Sequence, residues 1–187
     1  MTVQAGIHKI GADHGRIALL TARDGMAASV GHDLTIEVAR WSGELTVGED
    51  STPTALDVRM DMTSLAVRSG TGGVKPLTDK DKRDIASNAR KVLGSDRHPE
   101  ATFTGAKFEP GGNDGGVING TLTLAGQSQP FKLQVTEKDA GHYHATATVV
   151  QSSFGIKPYS GFFGALKVRD AVEVEIDVDL SQPAGAS

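Results

Sequence analysis

From position 171 to 180 the chain alternates without a break: Val172, Val174, Ile176, Val178 and Leu180 take the even positions, Glu173, Glu175, Asp177 and Asp179 the odd ones. Successive side chains of a strand point to opposite faces, so a period of two this strict describes a strand with one face buried and one in water. The period recurs over 55–62, where Leu56, Val58, Met60 and Met62 oppose Asp57, Arg59 and Asp61. Six more segments, 16–23, 29–38, 101–108, 116–124, 130–137 and 142–150, read as strands separated by turn-forming stretches. The Gly-, Pro- and Asp-containing stretches 109–116, 125–130 and 138–141 join successive strands as hairpins.

One segment follows a different period. Over 79–93, Ile85, Ala86, Ala89, Val92 and Leu93 recur at helical spacing, Thr78 with Asp81 three positions on forms a capping signature, and Gly94 supplies the stop. Its narrow apolar stripe suits a helix lying across a sheet or a barrel end. No repeat, low-complexity tract or linker divides the chain, which reads as a single domain over 1–187 with its core at about 15–180 and a frayed tail at 181–187.

Eight antiparallel strands with short connections close either as a sandwich or as an up-and-down barrel, and periodicity does not choose between them. An eight-stranded barrel has an interior just wide enough to be filled by side chains or to hold one small ligand. With 6 Phe, 2 Tyr and 1 Trp against 23 Gly, tight filling is the harder solution.

Composition removes several function classes. A formal charge of −4, from 19 Lys+Arg against 23 Asp+Glu, argues against nucleic acid or an anionic membrane as the main partner. The chain has 0 Cys, so disulfide and thiol chemistry are unavailable. The first residues lack the basic and apolar regions of a secretory signal and no apolar run reaches transmembrane length, so a cytoplasmic protein with no stable membrane insertion is expected. There is no nucleophile elbow, zinc motif or defined carboxylate pair, and the glycine-rich stretch 70–75 lacks Walker spacing and reads as a flexible loop. A non-enzyme without a cofactor is therefore expected. His142 and His144 share one strand face, half of a metal site by spacing, but that face also carries Thr146 and Thr148 and is expected to meet solvent.

Several blocks, taken in order, resemble the YceI-like family, the polyisoprenoid-binding, lipocalin-like barrels. They are Val30-Gly-His-Asp-Leu34, Trp41-Ser-Gly43, Arg83-Asp84 leading through the helix to His98-Pro99 and Phe103, Gly120-Thr-Leu-Thr-Leu-Ala-Gly126 with Pro130, and Ser152-Ser-Phe-Gly-Ile156. The resemblance spans about 15–180. It implies an all-β, eight-stranded antiparallel up-and-down barrel with one helix packed near an end. It further implies an elongated apolar pore for an isoprenoid lipid, such as a quinone or a polyprenyl phosphate, or another long-chain amphiphile. Family members carry a histidine soon after the Arg-Asp pair, where this chain has Ile85-Ala-Ser-Asn88.

On that architecture the lumen candidates are Val58, Met60, Met62, Phe103, Leu122, Leu124, Phe131, Leu133, Val174 and Ile176, with Phe154 from the Ser-x-Phe-Gly-Ile block. Ordinary core packing produces the same alternation. The loop 157–166 is unusually apolar: Tyr159, Phe162, Phe163 and Leu166 make it a lid, a plug or a contact in a homodimer, and Gly161 and Gly164 bracket the two phenylalanines. His32 is a candidate head-group anchor, or a buried imidazole bonded to a backbone carbonyl. Arg83 is a second candidate for the head group, although Asp84 beside it also suits the helix dipole. A carrier or sequestering protein is the leading reading. An enzyme acting on a lipid-like ligand and a filled barrel serving as a protein-interaction module are the alternatives.

Overall fold

Each of the eight alternating segments contains a strand in the computed structural model, which describes residues 3–111 and 115–181. The chain order is β1 (Gly6–Gly11), β2 (Gly15–Thr21), β3 (Arg23–Asp24), β4 (His32–Val38), β5 (Trp41–Val47), β6 (Pro53–Asp61), β7 (Leu65–Gly72) and α1 (Asp79–Leu93). It continues with β8 (Glu100–Gly111), β9 (Gly115–Leu124), β10 (Gln127–Asp139), β11 (His142–Val150), β12 (Ser160–Gly161), β13 (Leu166–Val168) and β14 (Ala171–Asp179). The expected frayed tail lies, beyond Ser181, outside the described residues.

The strand count corrects the expectation of eight. One antiparallel sheet holds 11 strands in the order β1-β5-β6-β8-β9-β10-β11-β14-β2-β4-β7, and a 3-stranded sheet, β12-β13-β3, sits apart from it. Up-and-down order is kept from β8 to β11, but β11 pairs with β14 and β14 with β2. Three strands of the large sheet, β1, β5 and β7, were not legible as alternation. In β1 His8 is buried beside Ile10 on the inward parity, bonded to the Gln4 carbonyl at 2.7 Å, while Ile7 stands exposed, so only Ile10 follows the hydropathy rule. In β5 an inward position is Gly43, and β7 extends into the glycine-rich stretch expected as a loop, where Gly70 and Gly72 pair with Leu34 and His32.

Two corners curl the sheet. The ladder β4·β7 ends at Val38 opposite Leu65, and β5·β6 resumes with Trp41 opposite Met60, so residues 39–40 and 62–64 carry the chain from one sheet edge to the other. Backbone bonds stitch the corners together: Ala39 N–H donates to Ser64 O at 3.2 Å and Asp61 N–H to Arg40 O at 3.0 Å. The inward faces then meet around one core that includes Ile17, Ile36, Val38, Trp41, Leu56, Phe103, Leu122, Leu133 and Val174.

Helix α1 starts beside β7, where Leu77 lies against Gly70, and ends where Ser95 Oγ donates to Met62 O at 3.0 Å and His98 lies against Gly126. It thus spans one end of the curled sheet, as its single apolar stripe requires. Its first turn carries the full capping box: Thr78 Oγ1 accepts from Asp81 N–H at 3.2 Å and the Asp81 carboxylate accepts from Thr78 N–H at 2.9 Å. Thr78→Ala is expected to cost about 1 kcal/mol, the ordinary value of such a cap, read as a lower urea midpoint with unchanged slope.

Candidate functional site

The curled sheet and α1 enclose a cavity of about 410 Å³, within the span of small-molecule sites. Val58 and Met60 on β6 line it, as do Met62 just beyond, Phe103 on β8, Leu122 and Leu124 on β9, Phe131 and Leu133 on β10, and Val174 and Ile176 on β14. Helix α1 adds Ile85, Asn88, Ala89, Val92 and Leu93. The Phe103 and Phe131 rings meet edge to face, centroids 6.1 Å apart, the arrangement their quadrupoles prefer.

The lining is polar at one end. Among the described lining residues, those exposed to solvent are Val30, Tyr159 and Lys167, and they mark the mouth. His32 and Leu166 stand beside them in the lining, as does Arg23. The Arg23 guanidinium donates to Gly31 O at 2.7 Å, and Asp33 accepts from Arg23 N–H at 2.8 Å. His32 Nε2 lies 2.8 Å from Lys75 O, so the imidazole ties the strand to the loop that leads into α1. Gly72 at φ 79 makes room for this arrangement, since a Cβ there would fall 1.7 Å from an Arg23 nitrogen.

Four sequence candidates stand away from the lining. Phe154 is buried in a short 3-10 turn after β11 and joins the core without reaching the cavity. Phe162 and Phe163 project into solvent from a turn with positive φ at both residues. Arg83 is exposed on α1, two residues before Ile85 and so on the opposite side of the helix from the lining stripe. Arg23 and Lys167, conversely, were not among the candidates. Arg23 shares the parity of Ile17, Leu19 and Thr21, all in the lining, so the alternation of 16–23 did hold its signal. Lys167 lies on the three-residue β13, too short to show a period.

The paired histidines face outward. His144 Nδ1 is 2.7 Å from Asp177, and His142 Nε2 is 3.7 Å from Asp179, each across the β11·β14 ladder. No cluster of three or more metal-ligating side chains occurs among the described residues. Burial opposes ionisation of Asp177, yet hydrogen bonds from His144 and Arg16 outweigh it and hold the carboxyl below its ordinary value. A carboxyl with a depressed folded pKa contributes stability that is present above its unfolded value, about 3.9, and is lost as pH falls through the folded one. Asp177→Asn is therefore expected to lower the urea midpoint at neutral pH, with the gap to the parent closing on acidification below that range. Equal gaps at both pH values would contradict this.

An inward-curled antiparallel sheet, one helix across its end and an apolar cavity with a polar mouth define a cavity-bearing all-β protein of the calyx type. Within that class the chain belongs to the YceI-like domain family, whose model matches residues 9–180. A UPF0312 protein of Shewanella baltica is 29% identical over 114 residues, 56% of this chain and 55% of that protein, so the chain spans about half the length of the curated relatives it matches. The crystal structure of BcnA from Burkholderia cenocepacia superposes with TM-score 0.64 at 13% identity, covering 88% of this chain and 94% of that one. A polyisoprenoid binding domain from Saccharophagus degradans, implicated in plant cell wall breakdown, superposes with TM-score 0.53 at 11% identity over 92% and 97% of the two chains. At these identities the likeness is one of fold.

Proposed function

We propose that the protein binds a long apolar amphiphile, an isoprenoid lipid such as a quinone or a polyprenyl phosphate, in the cavity and carries or sequesters it without chemical change. The observation that carries this reading is the polarity gradient of the lining: apolar side chains along the sheet interior, with Arg23, His32 and Lys167 gathered at the exposed end. Such a site takes an apolar tail and leaves its polar head in water. Each methylene removed from water is worth about 0.8 kcal/mol before ordering costs, so affinity accumulates along the tail without any reactive group. No Asp or Glu occurs in the described lining to work with His32 as an acid–base pair, which favours binding over catalysis. The name of the Saccharophagus degradans domain supports the same ligand class.

Native mass spectrometry of the purified protein, followed by organic extraction, tests this directly. A co-purifying isoprenoid near one per chain is the expected result. A ligand-free protein that also refuses quinones and polyprenyl phosphates in titration would overturn the proposal.

A further inference from the structure

The mouth of the cavity carries an apolar surface that the cavity itself does not use. Phe162 is 69% exposed, Met26 96%, and Phe163 is fully exposed. Fully exposed large apolar side chains are unremarkable singly, but a cluster of them marks an interaction surface. These three belong together. The small sheet β12-β13-β3 binds their two loops, pairing Lys167 with Asp24 and Val168 with Arg23. Ala27 N–H donates to Ala165 O at 2.9 Å, and Ala165 N–H to Phe162 O at 3.1 Å. Val74, also exposed, projects from the third loop at this end, which His32 holds through Lys75 O.

The backbone presents these rings against its own preference. Phe162 and Phe163 have φ of 48° and 55°, a left-handed conformation that bulky residues avoid. Two successive residues held there, both with side chains in water, gain nothing in the isolated protein. Strain of this kind accompanies function.

Charge identifies the occupant. The three mouth loops carry Arg23, Lys75, Lys157, Lys167 and Arg169 against Asp24, Asp33 and Asp170, on a chain whose total is −4. Asp33 pairs with Arg23, which leaves Lys75, Lys157, Lys167 and Arg169 against Asp24 and Asp170. The first turns of α1 add acids and bases in equal number, Asp79, Asp81 and Asp84 with Lys80, Lys82 and Arg83. A net basic ring around projecting aromatic and methionine side chains is complementary to a surface that is anionic above and apolar below.

The total charge of −4 argues against an anionic membrane as the main partner, but the local excess of bases at this end differs from that total. We infer that this end of the molecule docks on an anionic lipid bilayer, with Met26, Phe162 and Phe163 entering the interfacial layer and Lys75, Lys157 and Arg169 resting on the head groups. Docked in this way the cavity mouth faces the bilayer, and an apolar tail passes between them without crossing water. The purpose of docking rests on the lipid-carrier reading; docking itself does not, and the two can fail separately.

Flotation of the full chain with vesicles of phosphatidylcholine alone and of phosphatidylcholine containing one-third phosphatidylglycerol tests the inference. Binding is expected to the anionic vesicles only and to fall with added salt. The variant Met26→Ser/Phe162→Asn/Phe163→Asn, whose asparagines tolerate positive φ, is expected to lose binding at least tenfold. Lys75→Glu/Lys157→Glu is expected to lose it on anionic vesicles to a similar degree. Uptake of a soluble short-chain quinone is measured alongside; neither variant touches the lining, and neither is expected to change it. Absence of vesicle binding by the parent, or binding that survives the aromatic replacements, overturns the inference. So does a parent that sediments as a dimer and becomes monomeric in the aromatic variant without binding vesicles, which would assign the surface to a second copy of the chain. Docking that persists in a protein unable to take up any lipid would leave this inference standing and remove the carrier function.

Discussion

Replacing Ala145 with phenylalanine is expected to weaken lipid binding on the order of 50-fold while leaving the ligand-free protein at least as stable as its parent. Ala145 sits near the middle of β11, between Val135 on β10 and Ile176 on β14, and its methyl group lines the cavity. A phenyl ring there extends into the 410 Å³ of open space instead of into packed neighbours. Losing room for about three methylenes of ligand costs roughly 2.4 kcal/mol at the usual value per methylene, a fall in affinity on the order of 50-fold. In the empty protein the same ring buries apolar area that Ala145 leaves unfilled, so the denaturation midpoint should hold or rise. A filled barrel behaves in the opposite way, because overpacking a close-packed interior costs about 1–3 kcal/mol. Titration with a quinone together with urea unfolding of the apo form therefore separates the two architectures in one variant. A destabilised Ala145→Phe protein, or one that binds as its parent does, would contradict the cavity reading.

What the sequence made legible follows from how far each residue's environment is set by its own strand. The lumen parity of β6, β8, β9, β10 and β14 could be read because an inward side chain there is apolar whether it touches a neighbour or a void. The same indifference hid the cavity. Val174 alternates with Glu173 and Glu175 identically in a sandwich, a filled barrel and a hollow one, and only the distance to the opposite wall distinguishes them. The strand count failed where position overrode hydropathy. His8 takes an inward position beside Ile10 because its ring is satisfied by the Gln4 carbonyl, and Ile7, on the other parity, faces out. The glycines of β7 carry no side chain to alternate.

The mouth was partly legible. His32 lies on the inward parity of β4 with Leu34, Ile36 and Val38, and Arg23 on that of β2, so both could be placed from the chain alone. The loop 157–166 divided in a way no pattern announces: Tyr159 and Leu166 turn to the cavity, while Phe162 and Phe163 turn away from it. That division depends on the three-stranded sheet with β3, a pairing between segments more than a hundred residues apart. Long-range pairing of strands two and three residues long leaves no trace in local periodicity.

Gly120→Ala is expected to be among the most damaging single-methyl additions in the protein. Gly120 on β9 lies opposite Gly105 on β8 and next to Phe131 on β10. A Cβ at position 120 would fall 2.3 Å from Thr104 O, 2.7 Å from the Phe103 ring and 2.8 Å from Gly105 Cα. Thr104 O and Gly105 Cα belong to the backbone of β8, so the methyl group can be admitted only by prising β8 from β9 beside the irregularity that follows Gly105. Phe103 cannot yield freely either, since its ring is packed over both glycines and against Phe131. The cost expected for such overpacking is about 1–3 kcal/mol, or a fall in Tm on the order of 2–12 °C for a chain of this length. Thr121→Ala, one residue along and on the exposed face, serves as the control, with an expected change within about 0.5 kcal/mol. Because Phe103 and Phe131 form part of the cavity wall, Gly120→Ala should also weaken lipid binding in the fraction that folds. A Gly120→Ala protein as stable as Thr121→Ala would show that β8 and β9 separate without cost. The glycine pair would then not be what holds the aromatic wall of the cavity in place.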